Sequence, residues 1–304
     1  MKALRINQWG QPAQEEEIPQ PKIEKDEVLV RVHASSINPV DQFAMAGYLK
    51  EMLSLPFTPG TDFAGEAAEV GAEVTHVRPG DAVYGMVPMR GGAFAEYAVV
   101  KAQELSLKPK SLDFEKTAAV PLVSIAAWQT AVDFAQIQKG ERVLIHGAGG
   151  NVGSVAVQLA KMDGAYVIAA DVPEKGDFLQ SLSADEIIDI TQQQFEDVVG
   201  KVDVVLNYAK ADLLERSYSV LKAGGRYATT FEQPSTEEAE GLGIRSFGVF
   251  AHPSVALLDR LAELIDAGKL RYVVSRTFPL EDLQSALAFN QQSAEPGKVV
   301  LTLS

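Results

Sequence analysis

A glycine-rich turn carries the clearest chemical signal in the sequence. The stretch IHGAGGNVG follows the apolar run Arg142–His146 and opens the helical pattern Val152–Lys161. Between a strand and a helix, G-x-G-x-x-G is the fingerprint for binding the pyrophosphate of a dinucleotide. Gly150 and Gly153 match its second and third glycines, and Ala148 stands at the first position. The turn predicts a dinucleotide site; the alternative is that the glycines only shape a tight strand–helix turn.

Each part of the turn has a physical role in such a site. Gly150 would let the backbone approach the pyrophosphate, and Gly153 would let the helix pack closely on the strand. Free N–H groups at the helix N-terminus would bind the phosphates. Asp171 ends the next strand pattern, where a carboxylate accepts hydrogen bonds from a ribose. The predicted cofactor contacts in this region are Ala148, Gly149, Gly150, Asn151, Val152, Gly153 and Asp171.

Composition excludes several other functional classes. The chain has 304 residues and a formal net charge of −14, which disfavours duplex nucleic acid or an anionic membrane as a partner. It has no cysteine, so disulfides, cysteine nucleophiles and thiolate-ligated metal sites are ruled out. The longest low-polarity stretch, Ala118–Trp128, is too short to span a bilayer and contains Pro121. These features predict a soluble, cytoplasmic protein.

The elements that must position these residues follow two different sequence patterns, one in each part of the chain. Up to about residue 110, short apolar runs are separated by Gly and Pro turns, which predicts a compact, barrel-like β domain. From about residue 114, strand and helix patterns alternate, which predicts a parallel sheet with right-handed crossovers. Val255–Ala267 is a strongly amphipathic helix that Gly268 ends.

Several further segments, together with the glycine turn, resemble one family. They are residues 32–41, 59–65, 91–97, 121–129, 143–161, 221–225 and 297–300. The chain resembles the zinc-independent, quinone oxidoreductase-like branch of the medium-chain dehydrogenase/reductase superfamily over nearly its whole length. The resemblance implies an α/β fold with a GroES-like β-barrel catalytic domain, residues 1–115 and 271–304. It also implies a Rossmann domain with a doubly wound parallel sheet, residues 116–270, and an active site in the cleft.

The resemblance implies hydride transfer from NAD(P)H to a small-molecule quinone or to the β-carbon of an enone. Without zinc, the negative charge that builds on the carbonyl oxygen must be met by hydrogen-bond donors or water. Asn38 and Asp41 match the family's Asn-x-x-Asp pair near the nicotinamide, and with Tyr48 they are the candidate catalytic residues. Asn38 is equally well read as a turn residue, and Tyr48 as plain lining of the cleft. An ionised Asp41 would orient a neighbour rather than donate.

The resemblance adds three cofactor contacts and removes the metal. Lys175 matches a position where relatives bind the 2′-phosphate of NADPH, and Asn207 and Phe250 lie at further cofactor positions. Packing is an equally good explanation for Phe250. The zinc-dependent relatives use Cys and His ligands, whereas this chain lacks Cys and its four His show no ligand spacing. No metal site is therefore expected.

Three positions depart from the family pattern. Many relatives carry Lys and Arg where this chain has Phe43 and Met45, and a Thr where it has Ala126. The loss of two cations and a hydroxyl near the expected pocket favours an apolar, uncharged substrate. It also keeps open an alternative function, a catalytically weak nucleotide-binding redox sensor or scaffold on the same fold.

The cofactor preference follows from charge. A 2′-phosphate beside Asp171 would meet a like charge, which costs ~4 kcal/mol at 4 Å and an effective dielectric near 20. Lys175 offsets little of this, since an exposed ion pair contributes ~0–1 kcal/mol. Relatives also carry a Tyr where this chain has Ile190, and often an Arg in the stretch that here reads Glu295-Pro296. We expect a preference for NADH, with dual use of both nucleotides as the alternative.

The resemblance also implies a partner, a second copy of the chain. Its relatives dimerise by pairing the last Rossmann strand, which here corresponds to Ile244–Val249. Such pairing would continue the sheet across two chains.

Overall fold

The computed structural model describes residues 1–87, 91–231 and 233–303. The N-terminal part of the chain contains β1 (Lys2–Arg5), β2 (Gln14–Glu17), β3 (Glu27–Ser36), α1 (Pro39–Ala46), β4 (Asp62–Val70), β5 (Ala82–Met86), β6 (Tyr97–Lys101), β7 (Leu105–Leu107), α2 (Phe114–Ala118) and α3 (Pro121–Trp128). The middle part contains β8 (Arg142–His146), α4 (Asn151–Met162), β9 (Tyr166–Asp171), α5 (Gly176–Ser181), β10 (Glu186–Asp189), α6 (Phe195–Val198), β11 (Val202–Asn207), α7 (Leu214–Val220), β12 (Leu221–Thr229), α8 (Thr236–Gly241) and β13 (Arg245–Gly248). The chain ends with α9 (Val255–Asp266), β14 (Val274–Pro279), α10 (Leu283–Gln292) and β15 (Lys298–Thr302). A π-helical segment, Gln129–Phe134, follows α3.

The described part of the chain divides into two compact units. The first holds Met1–Leu122, His252–Ser293 and Gly297–Ser304, and the second holds Val123–Ala251 and Ala294–Pro296. This division differs from the boundaries expected from the sequence, which assigned residues 116–122 and 252–270 to the Rossmann domain and residues 294–296 to the GroES-like domain. α9 belongs to the first unit because the Tyr84 hydroxyl donates to the Leu258 carbonyl at 2.6 Å and the Ser106 hydroxyl donates to the Asp259 carboxylate.

The first unit is built on a mostly antiparallel sheet. Its strands lie in the order β14-β15-β3-β4-β5-β7, with β6 paired to β3. β14 and β15 run parallel, and the remaining pairs are antiparallel. The buried faces of β3 and β4 supply Val28, Val30 and Phe63 to the core. This sheet matches the expected GroES-like architecture.

The second unit is a parallel sheet in the order β10-β9-β8-β11-β12-β13. Numbered along the unit this order is 3-2-1-4-5-6, which is the Rossmann order. The strand order reverses between β8 and β11, and ligands of such sheets bind outside the carboxyl ends of the strands at that point. The α/β fold class expected from the sequence is therefore confirmed.

Local sequence explains why α4 begins where it does. β8 reads RVLIH and is buried from Val143 to His146, as a central parallel strand requires. Gly147 then takes a positive φ of 67°, which turns the chain away from the sheet, and Gly150 is the N-cap of α4. Apolar side chains three and four residues apart bury one face of α4 through Val155 and Leu159.

Candidate dinucleotide and substrate sites

The glycine turn has the geometry of a phosphate cradle. A Cβ atom on Gly153 would overlap the carbonyl oxygen of Gly147, so only glycine fits where α4 crosses the turn. The N–H groups of the first turn of α4, from Asn151 onward, have no carbonyl four residues earlier in the helix to bind. Gly150 has no side chain that would cap them. The residues present therefore fit the pyrophosphate of a dinucleotide.

The tight turn itself is made one residue earlier than the fingerprint suggested. Sequence analysis placed Ala148 at the first position, whereas the residue with positive φ is Gly147. Ala148 is fully buried, and the N–H groups of Gly147 and Ala148 both donate to the Ala170 carbonyl, at 3.0 and 3.4 Å. An alanine is tolerated there because its backbone does not need the left-handed conformation.

Asp171 is attached directly to the glycine turn. One carboxylate oxygen accepts the Gly149 N–H at 2.7 Å, and the other accepts the Val172 N–H at 2.8 Å. Each oxygen keeps a lone pair, so the carboxylate can still accept hydrogen bonds from ribose hydroxyls. The structure brings Asp171 and the phosphate cradle together, as a dinucleotide site requires.

Lys175 lies over the same turn. A Cβ atom on Gly149 would lie 2.7 Å from the Lys175 Cβ and 3.2 Å from a carboxylate oxygen of Asp171. Burial lowers the pKa of the Lys175 ammonium, and the charges of Asp171 and Glu295 act in the opposite direction. Two carboxylates are therefore close enough to the Lys175 ammonium to favour its charged form.

Asn207 and Phe250 occupy different surroundings. Asn207 is fully buried at the end of β11, where its amide donates to the Lys210 carbonyl at 2.7 Å and the Tyr227 hydroxyl at 2.9 Å. Its side-chain oxygen accepts the Ala209 N–H at 3.1 Å. The Asn207 side chain shapes the loop after β11 and has no free donor for a cofactor. Phe250 follows β13, and its side chain is 48% exposed.

In the first unit, Asn38 and Asp41 form the start of α1. Asn38 is the N-cap residue, its N–H donates to the Asp41 carboxylate at 2.9 Å, and Pro39 occupies the first helical position. The other carboxylate oxygen of Asp41 accepts the Thr61 hydroxyl at 2.7 Å. Asp41 thus orients its neighbours and is itself buried.

The Asn38 amide has no free donor in this structure. Its nitrogen donates to the Asp62 carboxylate at 2.9 Å and to the Ser36 carbonyl at 3.3 Å, and its oxygen accepts from the Lys298 ammonium. The side chain is fully buried. The interpretation of Asn38 as an oxyanion donor therefore needs correction: the geometry is that of a turn residue joined to a buried polar network.

Asp62 and Lys298, at the centre of that network, were not among the site residues predicted from the sequence. Asp62 accepts the Leu122 N–H, the Ser36 hydroxyl and the Asn38 amide, each at 2.9 Å. Lys298 donates to the Ile37 carbonyl at 2.9 Å. Both residues lie in segments that carry the family resemblance, and each stands at the first position of its strand.

Burial shifts the pKa values of Asp41 and His146 in opposite directions. Burial raises the pKa of the Asp41 carboxyl to about 6, against the hydrogen bonds from Thr61 and Asn38. Burial lowers the pKa of His146, at the end of β8, to about 4. The His146 ring nitrogen lies 3.3 Å from the Ser217 hydroxyl, and its ring meets the edge of Phe195.

An exposed aromatic pair marks the end of α1. Tyr48 is 78% exposed and Phe43 53%, and their rings meet edge to face at 5.8 Å between centroids. Met45, which sequence analysis placed near the pocket with Phe43, is buried in the core with Ile37 and Phe94. That expectation was wrong because helical spacing turns residue 45 to the opposite face of α1. Phe43 and Tyr48 together present an apolar surface with one hydroxyl.

Comparison with known proteins places the chain in a family. The family model described as an alcohol dehydrogenase GroES-like domain matches residues 24–110, and the one described as a zinc-binding dehydrogenase matches residues 182–301. The mitochondrial NAD(P)H oxidoreductase RTN4IP1 of Mus musculus is 30% identical over 91% of this chain and 82% of its own length. The chloroplastic NADPH-dependent alkenal/one oxidoreductase of Arabidopsis thaliana is 34% identical over 92% of this chain and 73% of its own.

A solved structure agrees along the whole chain. The quinone oxidoreductase from Coxiella burnetii is 30% identical, with a TM-score of 0.92 over 100% of this chain and 99% of its own. The chain belongs to the medium-chain dehydrogenase/reductase superfamily. It is an NAD(P)H oxidoreductase of the branch that includes quinone and enone reductases.

The residues of this medium-chain reductase do not fit the zinc site that one matching family description implies. The sequence has no cysteine, and among the described residues no group of three or more His, Asp or Glu side chains could hold a metal ion. Within residues 1–87, 91–231 and 233–303, none of the helices combines the length and the hydropathy needed to cross a bilayer.

Proposed function

We propose that this reductase transfers hydride, without a metal ion, from NADH to an apolar α,β-unsaturated ketone or aldehyde, or to a quinone. The observation that carries the proposal is the contact between the Asp171 carboxylate and the Gly149 N–H of the phosphate cradle. It supports a dinucleotide site in which the ribose hydroxyls face a carboxylate. The names of the relatives support the class of acceptor, since they include an alkenal/one oxidoreductase and a quinone oxidoreductase.

The preference for NADH rests on the charges at the ribose corner. A 2′-phosphate would lie beside the Asp171 carboxylate, with Glu295 as a second acid near Lys175. Like charges at this distance repel, whereas a 2′-hydroxyl donates a hydrogen bond to the same carboxylate. The Arabidopsis thaliana relative is named for NADPH, so the preference proposed here is a property of this chain's own residues.

Phe43 and Tyr48 of the first unit are the residues that we propose to contact the acceptor. The bound nicotinamide supplies the hydride, and reduction of an enone places negative charge on its carbonyl oxygen. Phe43 and Tyr48 provide an apolar surface for the carbon skeleton, and the exposed Tyr48 hydroxyl donates a hydrogen bond to the carbonyl oxygen. Asn38 and Asp41 hold the start of the helix that carries Phe43. Solvent supplies the proton that completes the reduction.

The test is a titration followed by turnover. The protein is titrated with NADH and with NADPH, and oxidation of each is then followed with para-benzoquinone and with methyl vinyl ketone. Tighter binding of NADH and its oxidation by either acceptor would support the proposal. The Tyr48→Phe variant should lower the turnover number on methyl vinyl ketone about tenfold without changing NADH affinity, which corresponds to about one lost hydrogen bond to a charged group.

If the protein binds NADH but does not oxidise it, the alternative function, a nucleotide-binding redox sensor or scaffold, would be favoured. Asn38 and Asp41 are both committed to internal hydrogen bonds, so the proposed donor at α1 is Tyr48 alone among the candidate catalytic residues. If NADH binds and no acceptor is reduced, a nucleotide-binding redox sensor or scaffold accounts for the structure better.

We also propose that a second copy of the chain pairs with β13. Among the described strands β13 lies at the edge of the second sheet, next to β12. Phe247 on this strand stacks on Phe134, and Arg245 covers the same ring. Light scattering at micromolar concentration tests this: a monomer contradicts it, and a Phe247→Pro variant that turns a dimer into a monomer supports it. The cytoplasmic location stays a prediction.

A further inference from the structure

The loop after β11 is attached to the π-helical segment by two hydroxyl groups. Tyr208 follows the last residue of β11, and its phenol oxygen lies 2.5 Å from the Thr130 hydroxyl. Thr130 lies in Gln129–Phe134, where the Ala135 N–H reaches back five residues to the Thr130 carbonyl at 3.0 Å. Such π-helical turns are rare in proteins and are found frequently at functional sites.

The direction of the hydrogen bond between Tyr208 and Thr130 follows from the single proton on the Thr130 hydroxyl. The Thr130 hydroxyl has one proton, and it lies 2.7 Å from the Ala126 carbonyl and 3.1 Å from the Ala127 carbonyl, which only accept. Thr130 must therefore donate to the helix and accept from Tyr208. Burial raises the pKa of the Tyr208 phenol above its ordinary value, so it keeps its proton at physiological pH. Tyr208 is thus a fixed donor to Thr130 and is not an acid for the reaction.

Tyr208 lies at the point where the strand order of the sheet reverses. Its N–H donates to the His146 carbonyl at 3.0 Å, which joins the ends of β11 and β8. A Cβ atom on Gly147 would lie 2.9 Å from the Tyr208 carbonyl oxygen, so this loop touches the glycine turn. Asp171 stands on the opposite side of β8, at the end of β9.

The two sides of β8 correspond to the two halves of a dinucleotide. The ribose next to Asp171 belongs to the adenosine half, and the pyrophosphate lies at the N-terminus of α4. The remaining half must then extend over the end of β11. Asn207 has no free donor there, because its amide is used inside the loop. The position of the loop after β11 is therefore the feature of this chain that would act on the nicotinamide half.

We propose that Tyr208 is a positioning residue for the nicotinamide half of the cofactor, and that its hydrogen bond to Thr130 holds the loop after β11 in place. The inference rests on the proposed nicotinamide-dependent function. It predicts an effect confined to one half of the dinucleotide. A residue that only stabilised the fold would weaken the binding of both halves alike.

The experiment compares NADH with ADP, which has the adenosine and pyrophosphate groups but no nicotinamide. Both are titrated against the wild type and the Tyr208→Phe, Thr130→Val and Thr130→Ser variants. Tyr208→Phe and Thr130→Val should each weaken NADH binding about tenfold, the effect of one buried hydrogen bond, and leave ADP binding within about twofold. Thr130→Ser keeps the hydroxyl and should bind NADH like the wild type. The double variant Tyr208→Phe, Thr130→Val should bind no more weakly than either single variant.

Tyr166→Phe is the matched control, because Tyr166 begins β9 at the opposite end of the strand from Asp171, with the Arg142 guanidinium over its ring. It should change neither affinity. Unchanged NADH binding in both variants, or an equal loss of NADH and ADP binding, would overturn the inference while leaving the proposed function intact. Failure of the wild type itself to bind NADH would instead overturn the proposed function. Thermal melting of each variant checks that it is folded.

Discussion

The Lys298 ammonium lies 3.5 Å from a carboxylate oxygen of Asp62, and both side chains are buried inside the first unit. Asp62 also accepts hydrogen bonds from Asn38, Ser36 and Leu122. The start of β15, the start of β4 and the N-terminus of α1 are thereby joined through one ion pair. A buried ion pair of this kind is costly to break, because the remaining charge stays desolvated.

Replacement of this lysine tests that relationship. We expect Lys298→Met to lower the free energy of unfolding by about 3–5 kcal/mol, since Asp62 would be left as a buried, unpaired charge. Denaturant unfolding measures the loss. Lys25→Met is the control: its ammonium lies 3.9 Å from Glu73 with both groups exposed, so the loss should be about 0–1 kcal/mol. A similar loss in the two variants would contradict the buried pair. Adding Asp62→Asn to Lys298→Met should recover part of the stability.

The Gly153→Ala variant tests the phosphate cradle. The new Cβ would overlap the Gly147 carbonyl oxygen, so the turn must open and nucleotide affinity should fall at least tenfold. Gly176→Ala is the matched control, because it begins α5 with open space around the added carbon. The control should bind NADH normally and gain about 0.4–1 kcal/mol of stability. Fluorescence titration with NADH decides between them, and normal binding by Gly153→Ala would show that the cradle does not hold the cofactor.

The Asp171→Ser variant tests the choice between nucleotides. Removing the carboxylate removes both the ribose acceptor and the repulsion of a 2′-phosphate, so the ratio of NADH to NADPH affinity should fall by about tenfold or more. Asp163→Ser, at the far end of α4 from the turn, is the control and should leave the ratio unchanged. If the two variants give the same ratio, Asp171 does not select the cofactor.

The pH dependence of stability should reveal Asp41. Its folded-state pKa, about 6, lies above its ordinary value of 3.8. The folded state therefore binds more protons between these values, and Asp41 contributes stability at low pH that is lost as the pH rises through 6. The Asp41→Asn variant lacks this loss, so its stability relative to the wild type should increase from pH 4 to pH 6, by on the order of 2 kcal/mol. Urea unfolding at several pH values measures the difference. A parallel course of the two curves would mean that Asp41 does not titrate in this range.

His146 should affect the pH dependence of stability in the opposite direction from Asp41. Its folded-state pKa of about 4 lies below its ordinary value of 6.5. The unfolded chain binds more protons in this window, so the wild type loses stability as the pH falls from 6.5 to 4. His146→Gln removes this titration and should be less sensitive to acid, by on the order of 3 kcal/mol at the lower end. Acid sensitivity equal to that of the wild type would contradict the neutral, buried imidazole.

Local features of the fold were predictable from the sequence. The turn around Gly150 and Gly153 depends on residues within one strand–turn–helix unit. A short stretch of sequence therefore contains the whole pattern. The same holds for Asp171, which marks the end of the next strand. Alternating strand and helix periods also indicated the parallel sheet, because those periods follow from backbone geometry alone.

Contacts between distant segments could not be predicted in the same way. From the sequence, Asn38 could be either a hydrogen-bond donor to substrate or a turn residue. The residue that donates to its side-chain oxygen, Lys298, lies in the last strand. The family resemblance placed both Met45 and Phe43 near the expected pocket, yet Met45 is buried and Phe43 is exposed on another face of α1. The assignment of α9 to the first unit depended on Tyr84, far upstream.

The sequence by itself determined the class of sheet, the glycine turn before α4 and the acidic residue at the end of β9, because each is set by short-range backbone geometry and residue type. Tertiary structure alone decided which polar groups are free to act. A hydrogen-bonding side chain becomes a structural group once partners from other strands fill its donors and acceptors. Asn38 is bound by Lys298 and Asp62 from other strands, and Asn207 by Tyr227 of β12 and by its own loop. Tyr48, in contrast, is exposed, and Tyr208 donates to Thr130.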